Sequence, residues 1–194
     1  MNNIATIARI LGSFFYFPLS HENNAQLLAA LKESDDINES PFGELVELIA
    51  TTEQEAVALD FQQLFEGCEV MPAPPWGSVY LDREQIVFGD STIRYRHFLA
   101  SINMSLDTGM REPEDQFGLM LMAIANIIEE KQDLELVKVL LAEHILPWAT
   151  HYLELVQKHA QTKCYSLLAE IAQAWLGMLQ EELEITAKDL KIYF

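Results

Sequence analysis

Three of the chain's seven prolines fall within four residues, at Pro72, Pro74 and Pro75, and Trp76, Gly77 and Ser78 follow directly. Proline fixes φ, removes an amide donor and biases the residue before it toward extended geometry. The stretch Met71–Asp90 is therefore expected to be non-helical, although the sequence on both sides of it is helical in pattern. A stiff aromatic loop held by a rigid scaffold is a place where binding residues collect.

The flanking periodicity is consistent. Ile4, Ile7, Ala8, Leu11, Phe14 and Phe15 recur at helical spacing, and Pro18 closes the run. Glu22 to Lys32 repeats the pattern, Pro41 opens a third helix, and Glu53 to Phe65 makes a fourth with Gly67 as its stop. Beyond the proline loop, Ser91 or Thr92 is expected to cap a helix to Met104, and Gly109 marks a break. Further helices are expected over Glu114–Glu130, Leu134–Ala142, Ile145–Val156 and Cys164–Glu184, with Pro147 breaking or kinking the chain between two of them. Strand-like alternation is confined to Val79–Leu81 and Ile86–Phe88. The chain reads as all-α: a single compact helical domain spanning residues 1–194, of about nine helices with a Pro/Trp-rich loop. The proline loop and Asn103–Arg111 are the hinge candidates, and exchange of elements there would give a swapped dimer.

Half of the 194 residues are apolar, enough for a substantial core, and 30 acidic against 12 basic side chains give a formal charge of −18. Such a charge opposes nucleic acid or an anionic membrane as the main partner, because both are polyanions. It favours high solubility or a cationic partner. Cys68 and Cys164 form no CxxC pair and read as reduced, structural residues. No signal-peptide pattern opens the chain and no apolar run reaches membrane-spanning length, so no stable membrane insertion and a cytoplasmic location are expected.

Catalytic signatures are missing from the pattern. The five histidines form no HExxH or paired Glu-x-x-His motif, so neither a zinc-protease site nor a di-iron bundle is indicated. There is no phosphate loop or GxGxxG, and Gly77–Ser78 does not satisfy the nucleophile-elbow pattern. The chain is read as a non-enzyme without a cofactor or metal of its own.

Binding chemistry is better represented. Phe61, Leu64 and Phe65 lead into the loop, and Pro74, Pro75, Trp76 and Tyr80 lie in it or just beyond. These residues suit either an apolar groove with fixed walls or ordinary core packing. A second constellation is Glu112-Pro113-Glu114-Asp115-Gln116. Proline and acidic residues suit the first turn of a helix, which is one reading. The other is an acidic clamp on a cationic ligand, with Gln116 offering a donor and an acceptor.

The run Pro-x-Pro-Pro-Trp-Gly-Ser-Val-Tyr-Leu-Asp-Arg-Glu and the later Phe-Gly-Asp-Ser-Thr, within Met71–Ile93, closely resemble the TorD/DmsD family of twin-arginine leader-binding chaperones. Glu112–Gly118 looks like the family's second hallmark, with Gln116 where the family usually has histidine. A hydrogen-bonding role carries over to that position, whereas one needing a titratable imidazole does not. Weaker similarity runs through Arg9–Gly12, Phe15-Tyr16, Leu64–Gly67 and Leu146–Trp148.

The resemblance implies an all-helical cytoplasmic chaperone for a molybdenum-containing reductase of the dimethyl sulfoxide reductase type. It would bind the twin-arginine leader of the catalytic subunit and hold the precursor until it is folded and cofactor-loaded, before export. The mature subunit and components of the twin-arginine translocase are further implied partners. The positions matching the leader-binding region are Phe61, Leu64, Phe65, Pro75, Trp76, Asp115 and Gln116, and Glu112, Ser78 and Tyr80 complete the expected set. Asp115, with Glu112 or Glu114, is expected to face the arginines, since carboxylate and guanidinium pair bidentately. Trp76, Phe65 and Leu64 are expected to cover the apolar run. Two alternatives stay open: a nucleotide-binding or cofactor-insertion protein acting on the molybdenum cofactor, and a scaffold that binds only the folded reductase.

Overall fold

The computed structural model describes residues 1–35, 37, 40–67, 70–106 and 112–194. Cys68, Gly109 and most of the second hinge candidate lie outside these. The first helix, α1 (Asn2–Tyr16), buries Ala8, Leu11, Phe14 and Phe15 along one stripe. Pro18 closes it as expected. The fully buried Asn24 secures the turn just past its end: Nδ2 donates to Phe17 O at 3.1 Å and Pro18 O at 2.9 Å.

Asn24 belongs to α2 (Glu22–Glu33), which α3 (Phe42–Thr51) and α4 (Gln54–Phe61) follow. A wider π-helical turn, Gln62–Glu66, extends α4 and stops at Gly67, whose φ is +52°. After the proline segment come α5 (Gly77–Leu81), α6 (Asp90–Ser101) and α7 (Phe117–Asn126). Helix α8 (Leu134–Leu140) runs through another π turn into α9 (Leu146–His159), with Pro147 in the first turn, and α10 (Lys163–Glu182) is the longest. Nine of the ten have seven residues or more, and the described residues contain no strand, only one isolated bridge.

Three sequence readings need correction. The prolines do not keep all of Met71–Asp90 out of helix, because Gly77–Leu81, just beyond them, forms α5. Neither Ser91 nor Thr92 caps α6: the helix starts at Asp90 after Gly89, and the Asp82 carboxylate accepts from Ser91 N at 3.0 Å and Ser91 Oγ at 2.8 Å. Helix α7 begins at Phe117 rather than Glu114, with Gln116 as its cap. The Glu112–Asp115 segment is recruited to a non-local contact that outweighs its local preference.

Helix α7 is the centre of the fold, with eight of its ten residues buried. It crosses α1 at Gly12 and Gly118, where the two backbones nearly touch. Phe15 of α1 meets Phe117 edge-on at 4.9 Å, and Phe117, Tyr152, Trp148 and Tyr80 continue one aromatic layer at 5.0–5.4 Å spacings. Trp148 and Tyr152 of this layer belong to α9, which packs against α10.

The turn between them is fixed by a residue far away in sequence. Asp60 is 1% exposed and accepts from Gln161 N, Thr162 N and Thr162 Oγ1 at 2.7–3.0 Å, so it caps α10 from α4. Removing that carboxylate orphans two amides at a part-buried helix start. Asp60→Ala is expected to lower unfolding free energy by about 3 kcal/mol in urea titration at neutral pH. A loss below about 1 kcal/mol would mean that water satisfies the amides as well as the carboxylate does.

Candidate functional site

The two segments singled out in the sequence meet. Gly77 N donates to Asp115 O at 3.1 Å and Phe117 N to Pro75 O at 2.8 Å, an antiparallel bridge that pairs Trp76 with Gln116. Four side chains reinforce it. Trp76 Nε1 donates to Glu112 Oε1 at 2.7 Å, and Ser78 N donates to Asp115 Oδ2 at 2.7 Å. Gln116 Nε2 donates to Phe15 O at 3.1 Å while its Oε1 accepts from Leu119 N at 2.9 Å. One glutamine thus caps α7 and satisfies a carbonyl at the end of α1. The proline run is a fastened strut rather than a loose hinge.

Beside this junction lies a groove of about 480 Å³. Phe61, Phe65 and Pro75 form its apolar floor, and Trp76, Glu112 and Gln116 one wall. A further wall comes from Tyr16, Phe17, Pro18 and His21, where α1 gives way to α2, and Glu66 also lines the groove. Phe17 stacks on His21 at 4.9 Å and meets Tyr16 edge-on at 4.7 Å, so this wall is aromatic as well. Trp76 is half-buried and Glu66 exposed. Among the described residues no lysine or arginine lines the groove. A hollow of about 320 Å³ between α2 and α3 differs in kind, for it presents Lys32 and no carboxylate.

Glu112 is the charged group best placed to act there. Burial raises its carboxyl pKa above the ordinary value; the Trp76 hydrogen bond opposes the shift and the Asp115 charge adds to it. Asp115 is placed differently, at 2% exposure, with one oxygen held by the Ser78 amide. Burial raises its pKa too, while the Ser78 amide and the Ser78 and Thr92 hydroxyls hold it down. Asp115 Oδ1, Ser78 Oγ and Thr92 Oγ1 are buried without a well-formed hydrogen bond to a described residue. Asp115 braces the start of α5 from below, and no face of it opens to the groove.

Of the ten residues expected from the sequence, the groove gathers Phe61, Phe65, Pro75, Trp76, Glu112 and Gln116. Leu64 and Tyr80 lie in the core at 1% and 0% exposure, the latter stacked on Trp148 at 5.2 Å, and Ser78 is fully buried in the first turn of α5. Pattern reading did not single out Tyr16, Phe17, His21 and Glu66 for the site. The Phe15–Pro18 run was a usable signal, since three aromatics at a helix end followed by proline put rings where the chain turns away. Among the described residues no cluster of His, Cys, Asp or Glu is arranged to hold a metal, and no helix is long and apolar enough to cross a membrane.

The chain resembles known proteins along most of its length. The sequence model of the nitrate reductase delta subunit family matches residues 31–154. The chain is 34% identical over 190 residues to the Tat proofreading chaperone DmsD of Salmonella typhimurium strain LT2, covering 95% of this chain and 92% of that one. It is 26% identical over 190 residues to the chaperone protein YcdY of Escherichia coli, covering 95% and 97%. A crystal structure of a redox enzyme maturation protein from Archaeoglobus fulgidus superposes with a TM-score of 0.63 at 17% identity, covering 89% of this chain and 93% of that chain, which is a likeness of fold.

Proposed function

We propose that this chain, which belongs to the TorD/DmsD family of redox-enzyme maturation chaperones, holds the twin-arginine leader of its client in the groove between Trp76 and Phe17. The protein is a chaperone rather than a catalyst. Its client in this proposal is the catalytic subunit of a molybdenum-containing reductase of the dimethyl sulfoxide reductase type, retained in the cytoplasm until it is folded and ready for the translocase.

The observation that carries the assignment is the combination of an aromatic floor with a half-buried carboxylate held in place by Trp76. A twin-arginine leader presents two guanidinium groups and then an apolar run. Glu112 and Glu66 supply the carboxylates, in place of Asp115, which acts by positioning α5 and the strut. Phe61, Phe65 and Pro75 supply a dry surface for the apolar run. The net charge of −18 attracts a basic leader at long range. A nucleotide is disfavoured at the same place, since its phosphates would meet the Glu66 and Glu112 carboxylates.

Glu112 makes the proposal testable by pH. A guanidinium favours the ionised carboxylate, so leader binding expels the proton that burial helps Glu112 to keep. Affinity should therefore fall as pH drops through the raised pKa of Glu112, a loss that begins above the ordinary value of 4.5. Glu112→Gln keeps an acceptor for Trp76 and removes the charge. It should weaken leader binding about tenfold at neutral pH and flatten the acid-side dependence measured by calorimetry. An unchanged pH profile in this variant, or equal loss on a leader whose arginines are replaced by glutamine, excludes Glu112 as the arginine partner.

A further inference from the structure

Helix α2 is thinly covered for a helix with three leucines. Of its twelve residues only Asn24 is buried, and that side chain is polar; Leu27, Leu28 and Leu31 stay partly exposed. A helix of a compact domain normally hides its apolar stripe against a neighbour. Part of the apolar surface of α2 lines a hollow instead. Ala25, Leu28 and Ala29, spaced to share one face of the helix, form one side of the hollow of about 320 Å³, and Val46, Ile49 and Ala50 of α3 form the other. Three alanines among these six leave open the space that larger side chains would close.

The hollow adjoins the leader groove. His21 lines both, and its turn divides between them: Pro18 lines the groove, Leu19 and Ser20 the hollow. The His21 ring is pinned at this junction, stacked on Phe17 at 4.9 Å and accepting through Nδ1 from Asn23 N at 3.1 Å. From His21 the hollow follows α2 to Lys32 in its last turn, eleven residues on. That stretch of helix is about 16 Å long, the reach of about five extended residues or eleven helical ones.

A leader outgrows the groove alone. The apolar run of an export leader is about 7–15 residues long. A groove of about 480 Å³ is the size that seats a small molecule, and so only part of such a run. The two chambers also differ in what they offer. Glu66 and Glu112 line the groove, whereas no carboxylate is among the described residues that line the hollow. Glu44 and Glu47 line the next depression along α3, which shares Lys32 with the hollow. The hollow thus gives arginines no partner and gives apolar side chains a dry surface. We infer that the apolar run of the leader leaves the groove past His21 and continues in the hollow between α2 and α3, with its arginines remaining at the groove end. Occupation of the hollow by a leader rests on the leader site proposed above.

Two synthetic leaders test this by titration calorimetry, one complete and one cut after the first few apolar residues beyond the arginines. The native chain should bind the complete leader at least about tenfold more tightly, because its added side chains leave water. Ala29→Trp and Ala50→Trp plug the hollow from opposite sides, at exposed helical positions where the fold tolerates bulk. Each should erase that advantage while holding the short leader within about twofold of its native affinity. Equal affinity of the native chain for both leaders overturns the inference, and so do plugs that leave the advantage intact or weaken both leaders alike. A client lacking its leader, whose binding alone responds to the plugs, also overturns it by assigning the hollow to the mature chain. Trp76→Ala reads the groove separately. If it weakens both leaders while the plugs change nothing, the hollow is empty and the groove site stands. If it weakens neither while the plugs erase the advantage, the hollow keeps the apolar run and the groove is not the leader site.

Discussion

Replacing Gly118 with alanine is expected to cost about 3–5 kcal/mol, a large part of the stability of a domain of this size. The reason lies at the crossing of α1 and α7. A Cβ at Gly118 would sit 2.5 Å from Gly12 O and 2.9 Å from Tyr16 N, both backbone atoms that no rotamer change can move aside. The helices would have to part, and the aromatic layer between Phe15 and Phe117 would loosen with them. The same Cβ would also lie 3.0 Å from Gln116 Oε1, disturbing the cap that ties α7 to the groove. Gly177 provides the contrast. It lies in the exposed face of α10 with nothing within 4 Å of an added Cβ. There, alanine is expected to stabilise by about 0.5–1 kcal/mol through helix propensity alone. Urea denaturation of both variants reads the difference, and a Gly118→Ala loss under about 1 kcal/mol would show that the helices yield easily.

What the sequence made legible, and what it hid, follows the range of the interactions. Helices α1 to α4 and α8 to α10 are encoded in apolar periodicity, and the turn residues Pro18 and Gly67 end theirs where local chemistry says they should. Misreadings cluster where a partner distant in the chain decides. Glu112–Asp115 has the composition of a helix start, yet it runs alongside Trp76 because backbone bonds to Pro75 and Gly77 hold it there. Helix α5 is only five residues long and gains a side-chain acceptor for its Ser78 amide from Asp115, 37 residues away. No local window contains that information.

The candidate site divides in the same way. Trp76 and Glu112 were each conspicuous in the sequence, but nothing there said that one would donate to the other. That single bond, with the burial of Asp115, is why the proposal gives the cation to Glu112 rather than to Asp115. Tyr80 and Leu64 belong to motifs that define the family resemblance, and the fold uses them as core. They are expected to tolerate substitution poorly for reasons of packing, without touching a ligand. A motif of this type mixes residues that build the site with residues that meet the ligand, and only burial separates them.

Trp76 is the residue where both roles meet, and Trp76→Ala is expected to reduce leader affinity about a hundredfold, or 2–3 kcal/mol, the range of an interface hot spot. Two losses combine. The indole is one of five aromatic side chains, with Tyr16, Phe17, Phe61 and Phe65, that line the groove, and its Nε1 donates to Glu112 Oε1 at 2.7 Å. Without it the apolar run of the leader loses a wall and the carboxylate loses its orientation. Trp76→Phe separates the two, since a phenyl ring preserves the apolar wall and abolishes the donor. It should retain most binding of a leader whose arginines are replaced by glutamine, yet lose about tenfold on the native leader. Helicity should change little in either variant, because Trp76 lies outside the helices and is only half-buried. Titration calorimetry with both peptides yields four affinities. If Trp76→Ala binds the native leader within about twofold of the unmodified protein, the groove is not the leader site. If Trp76→Phe loses equally on both peptides, the indole acts through its bulk alone and the link from Trp76 to Glu112 plays no part in reading the arginines.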